Sequence, residues 1–316
     1  TDTAHWPWHA KIGSYWNDEK QFLSSYCGGS VIAPEWIITA AHCEVSTSDF
    51  IAVGDDFKQK VDIAEVYAHN FHNFEENSTR YIDSNNDIAL IRLSRPLNFG
   101  DFVQPVCLHD GKQKLDVADE GFITGFGAYS NVSSTIVDHY GSAVLLQARV
   151  SVISNGVCQF RYSRFAALTN GHDMTITPTM ICSGAYHRGA GKGDSGGPLV
   201  SQGVDGHWYE VGVTSFGDPT VEGYLHRDMA PAVYARISYF CDWITNTTGG
   251  AAHCGPTKAG DPVESASVAA PEPSVTENAV EAEAPSNEST PEFEETIVGG
   301  TTVADNVSDD EELVDE

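Results

Sequence analysis

Gly193-Asp194-Ser195-Gly196-Gly197-Pro198 sets one serine among glycines in a six-residue run. A serine hydroxyl is a weak nucleophile at neutral pH. It needs a base, an orienting acid and donors for the negative charge that develops on attack. The chain offers each. His42 lies in Thr39-Ala40-Ala41-His42-Cys43, and Asp87 in Asn85-Asn86-Asp87-Ile88-Ala89-Leu90-Ile91. A histidine can take the serine proton and return it to a leaving amine. An aspartate fixes the imidazole tautomer and stabilises the imidazolium. The N–H groups of Gly193 and Ser195 can meet an oxyanion, each such donor contributing about 3–4 kcal/mol. Gly196 and Gly197 permit a tight backbone that a Cβ would crowd. Singly, each residue says little: one histidine among 12 is ordinarily structural, and an aspartate beside an apolar strand is ordinarily a turn. Together, His42, Asp87 and Ser195 form the expected catalytic set.

The rest of the chain narrows the class. Apolar residues make up 41 %, enough for a substantial core. No apolar run is long enough to predict a membrane span. No basic segment followed by an apolar one marks a leader, and the chain begins at Thr1 rather than Met, so it is read as processed or incomplete. The net charge of −28 is uneven: residues 256–316 hold 17 acidic residues and one lysine. Such a surface argues against nucleic acid as a partner. Seven cysteines include no Cys-x-x-Cys pair, so zinc and thioredoxin-like readings are weak. With Asn-x-Ser/Thr triplets at Asn77, Asn131, Asn246, Asn287 and Asn306, they predict a secreted, oxidised glycoprotein. No metal or cofactor is expected. Glu75 and Glu76 are two adjacent carboxylates, and calcium needs six or more oxygens.

Residues 1–248 read as one domain of short β-strands. Apolar runs at 28–33, 36–40, 87–93 and 209–216 are separated by Gly, Asn, Asp and Pro, which predicts an all-β sandwich or barrel. Within 235–246, Ile237, Cys241 and Ile244 recur at helical spacing, widened by Phe240 and Trp243, and predict a closing helix. Residues 249–316 are read as an acidic, low-complexity, disordered tail. It has too little apolar surface to offset the entropy of ordering. A partner-binding or inhibitory tail is the sharper alternative, and no motif supports it.

In this order the motifs resemble the chymotrypsin-like (trypsin-like) serine endopeptidases over residues 1–248. The match includes Trp6-Pro7-Trp8-His9-Ala10, Cys27-Gly28-Gly29-Ser30-Val31-Ile32, the His42 and Asp87 segments, Gln104-Pro105-Val106-Cys107-Leu108, Ile123-Thr124-Gly125-Phe126-Gly127, the Ser195 run, Thr214-Ser215-Phe216-Gly217 and Cys241-Asp242-Trp243-Ile244. The resemblance implies two six-stranded antiparallel β-barrels with a C-terminal helix and the triad in the cleft between them. It implies protein or peptide substrates, protein inhibitors as further partners, and a monomer made as a zymogen. Ser215, Phe216 and Gly217 would pair with the substrate backbone. It also implies Cys27–Cys43 and Cys158–Cys182 disulfides. Cys107–Cys241 is the expected third pair, with Cys107 held by a propeptide or by Cys254 as alternatives.

Three departures qualify the resemblance. A cysteine common in the family four residues before the nucleophile is Gly191 here, and its partner is also missing, so one bridge is lost. The pocket base, an aspartate in trypsin-like members, is Gly189, and the walls align to Gly217 and Ala232. These predict an open, uncharged pocket and an apolar P1 residue, the one whose carbonyl is attacked. Asp228 turned inward would instead favour Lys or Arg, and Arg227, Lys192 or Arg188 an acidic P1. Lastly, family members mature by cleavage before Ile-Val-Gly-Gly, and the new amine pairs with the aspartate before the nucleophile, here Asp194. That tetrapeptide is missing ahead of Thr1 yet stands at 297–300. It is read as a coincidental or remnant copy. The alternatives are the start of another unit in a longer precursor, or a tail that returns to Asp194. A silent family member acting as a binding module is the competing function. Intact His42 and Ser195 disfavour it.

Overall fold

The structure is a computed structural model. It describes residues 6–15, 22–69, 85–114, 120–129, 141–169, 174–218, 223 and 226–256. All four glycosylation triplets other than Asn246, the Glu75–Glu76 pair, the Ile297–Gly300 motif and residues 257–316 lie outside them. Asn246 is exposed.

Strands β1 (His9–Tyr15), β2 (Phe22–Ala33), β3 (Trp36–Thr39), β4 (Asp49–Val53), β5 (Gln59–Ala68) and β6 (Ala89–Leu93) close an antiparallel barrel in the order β1-β2-β3-β6-β5-β4. The short connections demand antiparallel neighbours. Inward residues such as Ile12, Val31, Ile38, Ile51 and Leu90 are fully buried, each contributing about 1.5–3 kcal/mol. A second sheet comprises β7 (Cys107–Leu108), β8 (Glu120–Gly125), β9 (Leu146–Ile153), β10 (Met180–Gly184), β11 (Pro198–Gln202), β12 (Trp208–Phe216) and β13 (Ala232–Arg236). Its order is β11-β8-β9-β10-β13-β12-β7, and β11 also pairs with β12. Six strands therefore close a second barrel, and β7 adds in parallel to β12. One apolar core runs through both barrels, from Ile12 and Ile37 to Val200 and Val213. Trp6, Trp8 and Trp208 stack edge to face at its junction, the Trp6–Trp208 centroids 5.0 Å apart.

Three sequence expectations change. A helix, α1 (Asn155–Thr169), stands where only strands were expected. Cys158, Tyr162, Phe165 and Ala166 are its buried positions, a helical spacing legible in the sequence. The closing helix, α2 (Cys241–Thr247), begins later than 235, because Ala235 and Arg236 belong to β13 and pair with Met180 and Gly212. The third disulfide is Cys241–Cys254, not Cys107–Cys241, and Cys107 is a buried free thiol. The short span from α2 to Cys254 lets the chain fold back, where Gly255 N–H donates to Leu108 O at 2.9 Å. The described fold thus runs to Pro256, past the boundary expected at 248. Cys27–Cys43 and Cys158–Cys182 are bridged.

Candidate active site

Both barrels supply groups that meet at Asp87. His42 sits on a 3-10 turn, Ala41–Cys43, at the end of β3. The Cys27–Cys43 disulfide ties that turn to β2. Asp87 precedes β6, after Asn86 in the left-handed region at φ 61. Asn85 Oδ1 accepts the Thr177 hydroxyl at 2.6 Å, which ties this loop to the second barrel.

Asp87 is buried and accepts three hydrogen bonds. They come from His42 N–H at 2.8 Å, from His42 Nδ1 at 2.7 Å, and from Ser215 Oγ. A carboxylate only accepts, so Nδ1 carries the proton and Nε2 is left free as a base. Burial disfavours the His42 imidazolium. The hydrogen bond and charge of Asp87, with Glu44 beyond, outweigh it and raise its pKa above 6.5. Ser215 escapes the β12–β13 ladder at a register shift between Thr214 and Phe216, which frees its hydroxyl for Asp87.

The Ser195 loop is clamped between the barrels. Ser195 O accepts Gly28 N–H at 2.7 Å from β2, and Gly196 N–H donates to Thr214 O at 2.8 Å on β12. Gly196 adopts φ 76, and a Cβ there would lie 2.1 Å from Thr39 Oγ1. Gly193 adopts φ 97. Among the described residues, the Gly193 and Ser195 N–H groups donate to no protein acceptor. No Ser195–His42 hydrogen bond is formed among the described residues. Such contacts are commonly long without substrate and tighten in the complex.

The Asp194 side chain is held by two backbone donors. Its carboxylate accepts Gly127 N–H and Gly191 N–H, each at 2.8 Å. Burial raises its pKa, against these two bonds and the charge of Arg227. A Cβ on Gly125 would lie 1.9 Å from Asp194 Oδ1, so that position must be glycine for the carboxylate to fit. A cavity of about 200 Å³ opens beside Asp194, bounded by Thr124, Gly127, Ala128, Gly189 and Arg227. Ser195 and Ser215 do not line it.

The expected pocket residues divide. Gly189 and Gly217 face one space, whereas Ala232 is buried in the second barrel's core against Ile181 and Val211. Phe216 packs partly against Val233 and Met180. Lys192 is exposed and engages Ala128 through its backbone carbonyl. The space between Gly189 and Gly217 is neither open nor uncharged: the side chain of Arg227 fills it. The sequence named Arg227 only as one of three alternative cations. Cys27, His42 and Cys43 lie close enough to suggest metal ligands, but both sulfurs are consumed by their disulfide.

The trypsin family model matches residues 1–244. The mouse protein "Tryptase" is 30 % identical over 247 residues, covering 76 % of this chain and 83 % of that protein. Human "Chymotrypsin-like elastase family member 3A" is 34 % identical over 258 residues, covering 77 % and 84 % respectively. Among solved structures, mouse neuropsin, "a serine protease expressed in the limbic system", aligns with a TM-score of 0.59 at 28 % identity, covering 77 % of this chain and 94 % of neuropsin. With its paired six-stranded barrels and its motifs in register, the chain belongs to the trypsin family of serine proteases.

Proposed function

We propose that this protein hydrolyses peptide bonds through an acyl-enzyme. Ser195 Oγ attacks the scissile carbonyl carbon while His42 Nε2 takes its proton. The tetrahedral oxyanion is held by the N–H groups of Gly193 and Ser195. Collapse breaks the C–N bond, and His42 returns the proton to the departing amine. Water then repeats the sequence on the acyl-serine, with His42 again the base, and frees the acid. Asp87 keeps the proton on Nδ1 throughout and stabilises the imidazolium without itself becoming protonated. Ser215, Phe216 and Gly217 line the substrate strand, and Asp194 governs the nucleophile loop from behind. The observation that carries this reading is the buried Asp87, which holds His42 Nδ1 at 2.7 Å, together with a Ser195 loop tied to β2 and β12 that leaves two N–H groups without a protein acceptor among the described residues.

The site of action follows from the cysteines. Three disulfides belong to an oxidising compartment, so the protein is taken to be secreted and to act as a monomer on protein or peptide substrates, subject to protein inhibitors. The test is labelling by a serine-directed fluorophosphonate. The full chain is given a free Ile-Val-Gly-Gly amino terminus ahead of Thr1, with Ser195→Ala as control. Label on the parent and none on the control is expected. A parent as blank as the control would leave the silent binding module as the better reading.

A further inference from the structure

Helix α1 carries apolar residues on two faces. Cys158 and Tyr162 turn inward, into an apolar cluster with Met180 and Val233 against which Phe216 packs. The Cys158–Cys182 disulfide and the Tyr162 hydroxyl, which donates to Pro231 O, hold the helix to the second barrel. Asn155 Nδ2 adds bonds to the carbonyls of Thr177 at 2.7 Å and Met180 at 3.0 Å. The outer face carries Val157, Phe160, Arg164 and Leu168. Their spacing of i, i+3, i+7 and i+11 lays them along one stripe, with Arg161 beside it. Phe160 is 64 % exposed and Leu168 65 %, so this stripe is not covered by the fold. From Asn155 to Thr169 there is no Asp or Glu, in a chain that holds 45 of them. Among the described residues, neither the Arg161 nor the Arg164 guanidinium makes a hydrogen bond or an ion pair. The stripe therefore joins bare apolar surface to two uncompensated cations. It stands one helix diameter, roughly 10 Å, from the cluster that Phe216 shares.

We infer that the outer face of α1 is an exosite for protein substrates. It binds an acidic segment of the substrate, whose aromatic or aliphatic side chain lies on Phe160 and Leu168 and whose carboxylates meet Arg161 and Arg164. This rests on the endopeptidase reading of Ser195, with Phe216 along the substrate strand. From Val157 to Leu168 the stripe is about 17 Å long, which five or six extended residues span. A guanidinium presents a planar fork that matches a carboxylate, and arginine and aromatic side chains are enriched in recognition surfaces. The helix is braced from within, so it loses little freedom on binding. Other occupants fit less well. Anionic lipid surfaces are recognised by clusters of about four to eight cations, and this stripe has two. The net charge of −28 also opposes approach to such a surface. Two copies meeting through this stripe would bring the arginines of both together.

The test compares a short peptide that the protein cleaves with the same peptide joined through a Gly-Ser linker to Glu-Glu-Phe-Glu-Glu-Leu. The extension is placed at either end, and cleavage is followed at the original bond. The enzyme is the full chain with a free Ile-Val-Gly-Gly amino terminus. At about 0.1 M salt, kcat/KM for the better extended peptide should exceed that for the short one by at least about 10-fold, carried by KM. At about 1 M salt, where charges are screened beyond about 3 Å, the ratio should fall towards one. Arg161→Glu with Arg164→Glu should abolish the ratio, Phe160→Ser should reduce it, and Arg161→Lys with Arg164→Lys should keep part of it. Free fluorescein-labelled Glu-Glu-Phe-Glu-Glu-Leu should bind Ser195→Ala and lose that affinity when both arginines are reversed. A ratio near one in the parent overturns the proposal, as does a ratio undiminished by the charge reversal. Arginine-dependent sedimentation with vesicles of equal parts phosphatidylserine and phosphatidylcholine, without peptide binding, would make the face a membrane surface and also overturn it. A dimer that Phe160→Ser dissolves would do the same in favour of a second copy. The parent ratio and its salt dependence decide even if a variant fails to fold. A protein that labels at Ser195 with a ratio near one overturns the exosite alone. One that fails to label overturns the endopeptidase reading, and the exosite with it.

Discussion

Glu210→Gln should make the protein more stable near neutral pH, and by an amount that depends on pH. Glu210 stands on β12 opposite Val200 and alongside Leu108, with no exposed surface. Among the described residues neither carboxyl oxygen finds a hydrogen-bond partner, and the Ser30 hydroxyl is the neighbour that favours its charged form. Burial pushes the carboxyl up from 4.5 to about 8, with Ser30 a small opposing influence. A carboxyl raised in the folded state holds its proton more tightly there than in the unfolded chain. Its contribution is whole below about 4.5 and is lost as pH rises towards about 8. At pH 7 the loss spans roughly 2.5 pH steps of about 1.4 kcal/mol, or about 3 kcal/mol. Glutamine keeps the volume and cannot ionise. Urea unfolding of parent and variant at pH 4 and pH 7, disulfides intact, gives two differences in which all other titrating groups cancel. The variant should gain about 3 kcal/mol on the parent between the two pH values. Equal differences would refute the reasoning, because Glu210 would then ionise in place without cost.

Asp87→Asn should lower kcat by about 10⁴-fold, since an amide no longer enforces the Nδ1–H tautomer. In the parent, the acid limb of kcat/KM should lie above pH 6.5, because activity needs neutral His42 and Asp87 raises its pKa; a limb below 6.5 would contradict the Asp87–His42 coupling. Gly125→Ala should expel the Asp194 carboxylate, whose Oδ1 would be 1.9 Å from the new Cβ. Fluorophosphonate labelling should fall while far-ultraviolet circular dichroism is retained, at about 1–3 kcal/mol in stability. Cys107 should resist Ellman's reagent in the native protein and react on unfolding without reductant, because burial and the charge of Asp205 push its thiol up to about 11.

The barrels and the residues of the candidate site were legible for different reasons. Strand runs such as Trp36–Thr39 and Trp208–Phe216 carry β-branched and aromatic residues between turn formers, and local pattern suffices to find them. His42, Asp87 and Ser195 were legible because each stands in a short motif whose chemistry is local. What escaped depends on long-range packing. Helix α1 was hidden by reading everything ahead of the closing helix as strand, though Cys158, Tyr162, Phe165 and Ala166 held its period. Cys254 was assigned to a tail, and only the fold-back beside Leu108 shows it within reach of Cys241. The Ser215 hydroxyl on Asp87 depends on a single register shift, which no sequence pattern announces.

The reading of the pocket failed for a reason that applies to each glycine of this site. A missing side chain was taken as room for a substrate. In the folded protein a glycine more often marks a place where something else has come close. Gly125 and Gly127 are bare because the Asp194 carboxylate presses on them. Gly196 is bare because Thr39 Oγ1 and Gly28 O do the same from the first barrel. Gly184, Gly189 and Gly217 follow the rule, and what has come close there is Arg227. The identity of the neighbour, rather than the absence of a Cβ, then sets the local chemistry: a carboxylate at Gly125 and Gly127, a hydroxyl and a carbonyl at Gly196, and a guanidinium at Gly189 and Gly217. Because that cation is drawn from a loop more than thirty residues beyond Gly189, motif reading around Ser195 could not have supplied it.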